Sequence, residues 1–138
     1  MNKRKYSEIS IDLWDKELLK IEDLVINIHE KYNNYESRYY AYYNDTDIIS
    51  LIRYVKINNY NMLNIWFDKN EIYKCKEAFI TLLSELKSKK SNVIYTQLLG
   101  TEKSCINYLK ECGFIKTLHL REQILINNKF YDLITLTL

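Results

Sequence analysis

Near its C-terminus the chain gathers the side chains best suited to moving protons. His119, Arg121, Glu122 and Asp132 lie on two β-prone runs, residues 114–126 and 129–138, separated by Asn127-Asn128. Asn tolerates positive φ, so a two-residue loop here suits a primed turn. That register sets Gln123 opposite Asp132 and makes Arg121 a diagonal neighbour of Asp132 on the same face. An Arg121–Asp132 ion pair is the expectation. His119 shares that face, as a proton acceptor or as a hydrogen-bonded structural residue. Glu122 belongs to the other face, between Leu120 and Ile124. A half-buried carboxylate there has a raised pKa and can act as a base, unless a nearby Lys or Tyr pairs with it.

Thiol and metal chemistry find less support. Cys75, Cys105 and Cys112 are odd in number and lack metal-type spacing. Cys105 and Cys112 are two helical turns apart, roughly 10 Å, too far for a disulfide. Reduced core thiols and no metal are expected. His29 reads as a surface residue near a helix C-terminus, interacting with the dipole there.

At 138 residues the chain reads as one domain, 1–138, long enough for a real core. Lys plus Arg number 20 against 18 for Asp plus Glu, a net charge of +2. That balance gives no electrostatic footprint for nucleic acid. The clusters Lys3-Arg4-Lys5 and Lys87 with Lys89-Lys90 read as a chain end and a solvated helix end. No apolar run approaches a membrane span, and the N-terminus lacks the apolar core of a secretory signal. A cytoplasmic chain without membrane or nucleic-acid partners is expected.

Hydrophobic spacing supplies the elements that must position the C-terminal residues. A short strand over 6–11 is followed by Trp14, Leu18, Ile21, Val25 and Ile28, the inner stripe of a helix of about four turns. The run from Arg38 to Tyr43 is aromatic and β-prone. Residues 44–47 and 58–61 are polar turns, so 38–43, 48–57 and 62–67 form three antiparallel strands. Asp68 and Glu71 have capping-box spacing ahead of a helix from Ile72 to about Lys90. Residues 93–98 form a short apolar strand. Strand, helix, strand in this order predicts that 62–67 and 92–98 are parallel neighbours. Thr101 can cap a helix whose inner face carries Cys105, Ile106, Leu109 and Cys112. Gly113 ends it in a left-handed conformation, and Phe114 opens the next strand.

The C-terminal pattern is Thr101-x-x-Ser104, Ile106, Leu109, Gly113-Phe114, Arg121-Glu122 and Tyr131-Asp132. From Gly100 onward the chain resembles the GNAT superfamily of acyl-CoA-dependent N-acetyltransferases. It is most similar to the branch that acetylates ribosomal-protein N-termini, which shows Asn-x-x-Ser-Ile, Gly-Phe, Arg-Glu and an aromatic-Asp pair. The element order also matches, with one opening helix where many members have two. The resemblance implies an α/β (α+β) fold: a mixed, mostly antiparallel sheet with a parallel splayed strand pair and helices on both faces.

It also implies a site. The acyl-CoA arm would enter the gap between strands 62–67 and 92–98, lined by Ile65, Trp66 and Phe67. The diphosphate would rest on amides at the start of the following helix, at Glu71, Ile72 and Tyr73, with Thr101 and Ser104 contributing from the next helix. Ser104 matches a position that can serve as general acid toward the leaving thiolate, and Glu122 is the candidate base. The Tyr acid used by many members falls at Leu109, and Tyr108 beside it points about 100° away around the helix.

The family's phosphate cradle carries small residues so that backbone can approach the ligand. Here Glu71 and Tyr73 fill those positions, and the segment has no glycine. A helix dipole attracts an anion by roughly 0.3–1 kcal/mol, whereas a carboxylate about 4 Å away opposes it by about 1–4 kcal/mol. Weak binding of acetyl-CoA as cosubstrate is therefore expected. Two readings follow. One is an N-acetyltransferase acting on an amine of a protein, peptide or small molecule. The other is a degenerate module that binds a protein partner, with Tyr39, Tyr40, Tyr42 and Tyr43 supplying contact area. Those tyrosines also suit an ordinary strand packed under a helix. The oligomeric state stays open, a homodimer included.

Overall fold

The computed structural model describes residues 5–21, 35–57, 60–87 and 93–138. Among them, seven strands form one sheet: β1 (Ser7–Ile9), β2 (Ser37–Asn44), β3 (Asp47–Ile57), β4 (Tyr60–Phe67), β5 (Val93–Leu99), β6 (Ile115–Ile126) and β7 (Lys129–Thr137). Their spatial order is β1-β2-β3-β4-β5-β7-β6. Every pairing is antiparallel except β4 with β5. This is the expected mixed α/β sheet, with the parallel pair at its middle.

Helix α1 (Ile11–Leu18) covers one face. Ser10 starts it, its Oγ accepting from the Leu13 amide at 3.2 Å, which satisfies one of the free first-turn donors. Trp14 is buried against Ala41, Leu51 and Trp66. The helix begins earlier than its apolar stripe suggested and stops at Leu18, where bonds from Lys20 to Glu17 and from Ile21 to Leu18 close tighter turns. Val25, Ile28 and His29 lie outside the described residues, as do Lys3, Arg4, Asn58, Asn59, Lys89 and Lys90. The carboxylate of Glu17 is buried on this face because the Tyr43 hydroxyl donates to it at 2.6 Å and Lys20 lies 3.0 Å away. Burial pushes its pKa up, but those two partners hold it below the usual range.

The other face carries α2 (Lys76–Lys87) and α3 (Lys103–Glu111). Ala78, Phe79, Leu82, Leu83 and Leu86 of α2 and Ile106, Tyr108 and Leu109 of α3 pack on Ile52, Leu63, Ile94, Ile134 and Leu136 of the sheet. The tyrosines of β2 divide between the two layers. Tyr40 and Tyr42 are buried under α2, and the Tyr39 ring lies 5.2 Å from Trp14 under α1. That is the aromatic strand packed beneath helices, so this cluster is not the exposed contact area the module reading required.

Two turns behave as the sequence says. Gly113 has φ +108 and ends α3, with the Phe114 amide bonding back to Leu109 at 3.0 Å. Asn127 and Asn128 have φ 50 and 63, the conformation of a primed hairpin turn.

Two caps differ from expectation. Asp68 and Glu71 form no reciprocal box. Asp68 instead accepts from the Asn70 amide at 2.9 Å, and Glu71 pairs with Lys74 at 3.0 Å. The helix after β4 therefore opens as a short 3-10 turn, Ile72–Cys75. Thr101 is an exposed turn residue, and Glu102 occupies the capping position of α3 without a side-chain bond.

Candidate active site

The parallel strands β4 and β5 pair at only three positions, Tyr60↔Val93, Asn61↔Ile94 and Met62↔Tyr95. At the next step the buried Thr96 hydroxyl donates to the Leu63 carbonyl at 2.7 Å, replacing a ladder bond. Beyond it the strands part. β4 stays with β3 as far as Ser50↔Phe67, while β5 follows β7 as far as Leu99↔Leu133. Each strand satisfies its backbone on its outer neighbour, so a slot opens between the two.

The slot is lined by Ile65, Trp66, Phe67, Ile72, Leu98 and Cys105, with Lys69 and Glu102 at its mouth. Its free volume is about 20 Å³, room for roughly one water. A thioester arm would have to part these side chains on entry. Burial pushes the Cys105 thiol pKa well up, which makes it an inert lining group rather than a nucleophile.

Lys69 and Ile72 also line a second cavity of about 440 Å³, so the two lie side by side. This groove runs between loop residues 69–74 and the polar face of α3. Ser104, Asn107 and Glu111 stand there at helical steps of three and four. The structure thus brings together the expected residues Ile65, Trp66, Phe67, Glu71, Ile72, Tyr73 and Ser104. Thr101 lines neither cavity.

The groove is rich in paired charge. Lys69 lies 3.4 Å from Glu102, Lys74 lies 3.0 Å from Glu71, and Lys76 lies 2.9 Å from Glu111. Glu71 therefore does not face a ligand as a bare carboxylate, which tempers the repulsion expected of it. Tyr73 turns its hydroxyl to Glu111 at 3.1 Å and rests its ring on Tyr108, centroids 5.4 Å apart. Hydrogen bonds from Lys76 and Tyr73 hold the Glu111 carboxyl below its usual range. Lys69, Lys74, Asn107 and Glu111 were missed in the sequence. Only their helical phase relative to Ser104 and Ile72 marked them.

Tyr108 is fully buried, not turned away from the core. α3 is wedged against both the sheet and the 3-10 turn, so its apolar face is wider than one stripe. The Tyr108 ring packs on Phe67 and Phe79, and its hydroxyl lies 3.8 Å from the Cys75 sulfur. Burial drives its pKa far up. It presents no acid to either cavity.

The C-terminal hairpin departs from the simple register. Leu120 faces Leu133 and Ile124 faces Tyr131, so Arg121, Glu122 and Gln123 together oppose Asp132. Glu122 sits in this bulge with φ 49 and is exposed, not half-buried. Its amide donates to Asp132 Oδ1 at 2.9 Å. The partner of the Asp132 carboxylate is His119, not Arg121. The burial that would tune Glu122 as a base is missing. Asp132 also marks the end of β5: the Gly100 amide donates to its carbonyl, and a Cβ on Gly100 would fall 2.9 Å from Asp132 Cβ.

No helix among the described residues is long and apolar enough to cross a membrane, and no group of three His, Cys, Asp or Glu among them is placed to hold a metal. No protein-family model and no curated protein matches the chain. Solved structures do. A spermidine N-acetyltransferase mutant from Vibrio cholerae superposes with TM-score 0.73 at 16% identity, covering 97% of this chain and 94% of that one. The ribosomal-protein-S18-alanine N-acetyltransferase from Escherichia coli gives TM-score 0.71 at 14% identity, covering 97% and 92%. A ribosomal L7/L12 alpha-N-protein acetyltransferase in complex with coenzyme A gives 0.61 at 9% identity, covering 74% and 61%. Such identities speak for the fold alone, and the fold carried by this chain is that of the GNAT acetyltransferases.

Proposed function

We propose that the chain is an N-acetyltransferase that moves an acetyl group from acetyl-CoA to an amine. One observation carries the reading: β4 and β5 pair briefly, part, and leave an apolar slot beside a polar groove. A ligand that fits has a slender arm and an anionic end, as acyl-CoA does. The donor supplies an activated thioester. Ile65, Trp66, Phe67, Leu98 and Cys105 would enclose the arm and exclude water. Ser104, on the groove wall, would donate a proton to the thiolate as the amine takes the acyl group. Glu122 lacks the burial expected of a base, so the amine would attack as the free base and release its N–H proton to water, from which the Ser104 hydroxyl is restored. An amine-bearing small molecule, peptide or protein is the acceptor class.

Acetyl-CoA titration tests the reading. Replacing Trp14 with Phe leaves Trp66 as the one tryptophan, because the sequence has two. Saturable change in its emission, together with acetyl transfer to an amine panel, is the expected result. The absence of both at millimolar donor would favour the second reading, a module that does not use acyl-CoA. The filled cradle at Glu71 and Tyr73 is the observation behind that alternative.

A further inference from the structure

The groove between the 69–74 loop and α3 holds a carboxylate where a ligand anion would be expected. Glu111 is the acidic residue of this groove that reaches across it. Glu71 pairs within its own turn, with Lys74. Glu102 meets Lys69 at the slot mouth. Glu111 leaves α3 and uses both oxygens, Oε2 accepting from Tyr73 Oη on the opposite wall at 3.1 Å and Oε1 from Lys76 Nζ, just outside the groove, at 2.9 Å. A phosphoryl group binds in the same manner, through two oxygens to a cation and a hydroxyl donor.

The Tyr73 ring is seated edge-on against the buried Tyr108 ring, and the Lys76 ammonium lies 5.7 Å from the Tyr73 ring centroid. The two donors stand together on the 3-10 turn and the first turn of α2, and the carboxylate comes from α3. The Lys76–Glu111 pair is also exposed, at 32% and 47%. Exposed ion pairs contribute little, so an incoming anion of higher charge can displace this one.

We propose that Glu111 is a built-in occupant of an anion site formed by Tyr73 and Lys76, and that a diphosphate-bearing ligand binds by displacing it. The glycine-free cradle then works through side chains instead of closely approached backbone. The inference rests on reading the groove as the diphosphate end of the acyl-CoA site.

Inorganic pyrophosphate tests it directly by calorimetry, using Glu111→Gln, which keeps shape and removes charge. Removal of one like charge at an exposed site is worth about five- to tenfold in affinity, so the variant should bind pyrophosphate that much more tightly than the parent. Adding Lys76→Gln should return affinity to the parent level or below. Unchanged melting temperature verifies that each variant is folded. Equal affinity of parent and Glu111→Gln, or no measurable binding by either, overturns the proposal. Acetyl transfer is measured in parallel. Transfer with unaltered pyrophosphate affinity would sink the inference and leave the enzyme reading standing. Tighter pyrophosphate binding without transfer would do the reverse.

Discussion

Asp132 and His119 meet across the last hairpin, Oδ2 to Nε2 at 2.8 Å, on the sheet face that carries α3. The second oxygen of Asp132 accepts from the Glu122 amide inside the bulge. One carboxylate therefore ties a ring on β6 and the bulge backbone to β7. Arg121, on sequence spacing the better partner, is carried away by the bulge.

The His119 bond first, then the Glu122 amide, hold the Asp132 carboxyl below its usual range. A group with a lowered folded pKa stabilises fully above the unfolded value, near pH 3.9, and its contribution fades as pH falls through the folded value. Asp132→Asn should lower the melting temperature at neutral pH. The gap between parent and variant should narrow below about pH 4, across the Asp range. A gap that stays constant from neutrality into acid would contradict this account of the contact.

Thr96 stands at the fork where β4 and β5 part. Its hydroxyl is buried and satisfies the Leu63 carbonyl at 2.7 Å. Thr96→Val keeps the shape and leaves that carbonyl unpaired, which should cost about 1–3 kcal/mol in urea denaturation. Thr96→Ser, which retains the hydroxyl, should recover most of the loss. Equal destabilisation by both would mean that the methyl group, not the bond, holds the fork.

The proposed proton donor, Ser104, can be separated from the core tyrosine. Ser104 lines the groove, whereas the Tyr108 hydroxyl is directed at Cys75. Ser104→Ala should reduce kcat by about 10²-fold, the lower end for a general acid, with little change in KM. Tyr108→Phe should leave kcat near the parent value. The opposite pattern would require α3 to turn on binding donor.

Much of the fold was legible because its signals are local. Flanking polar turns marked β3 and β4, paired asparagines marked the hairpin, and Gly113-Phe114 marked the end of α3. The parallel pair followed from one strand–helix–strand order. What escaped depends on several elements at once. Three residues opposing Asp132 cannot be read from alternation, because Glu122 interrupts no apolar pattern. Tyr108 is buried by α2 as well as by the sheet, so a single-stripe reading misplaces it. Glu111 meets Tyr73 and Lys76 across 38 and 35 residues of chain, a distance at which spacing carries no information. Ile65, Trp66 and Phe67 were named because the resemblance puts the acyl-CoA arm beside their strand, whereas Leu98 and Cys105, which also line the slot, were not. The groove's charge pairs were not, because they depend on how two helices face each other.

The bulge at Glu122 also shapes the outer edge of the sheet. β6 is an outer strand of the sheet and shows Ile115, Leu118 and Leu125 to solvent at 68%, 45% and 58% exposure. A straight edge of that kind is a template for strand addition and aggregation. Here one left-handed residue and two more unpaired positions break the edge between Leu120 and Ile124. An incoming strand finds two short runs of differing twist in place of one long rail. The bulge that Asp132 tethers thus denies an incoming strand a straight apolar border.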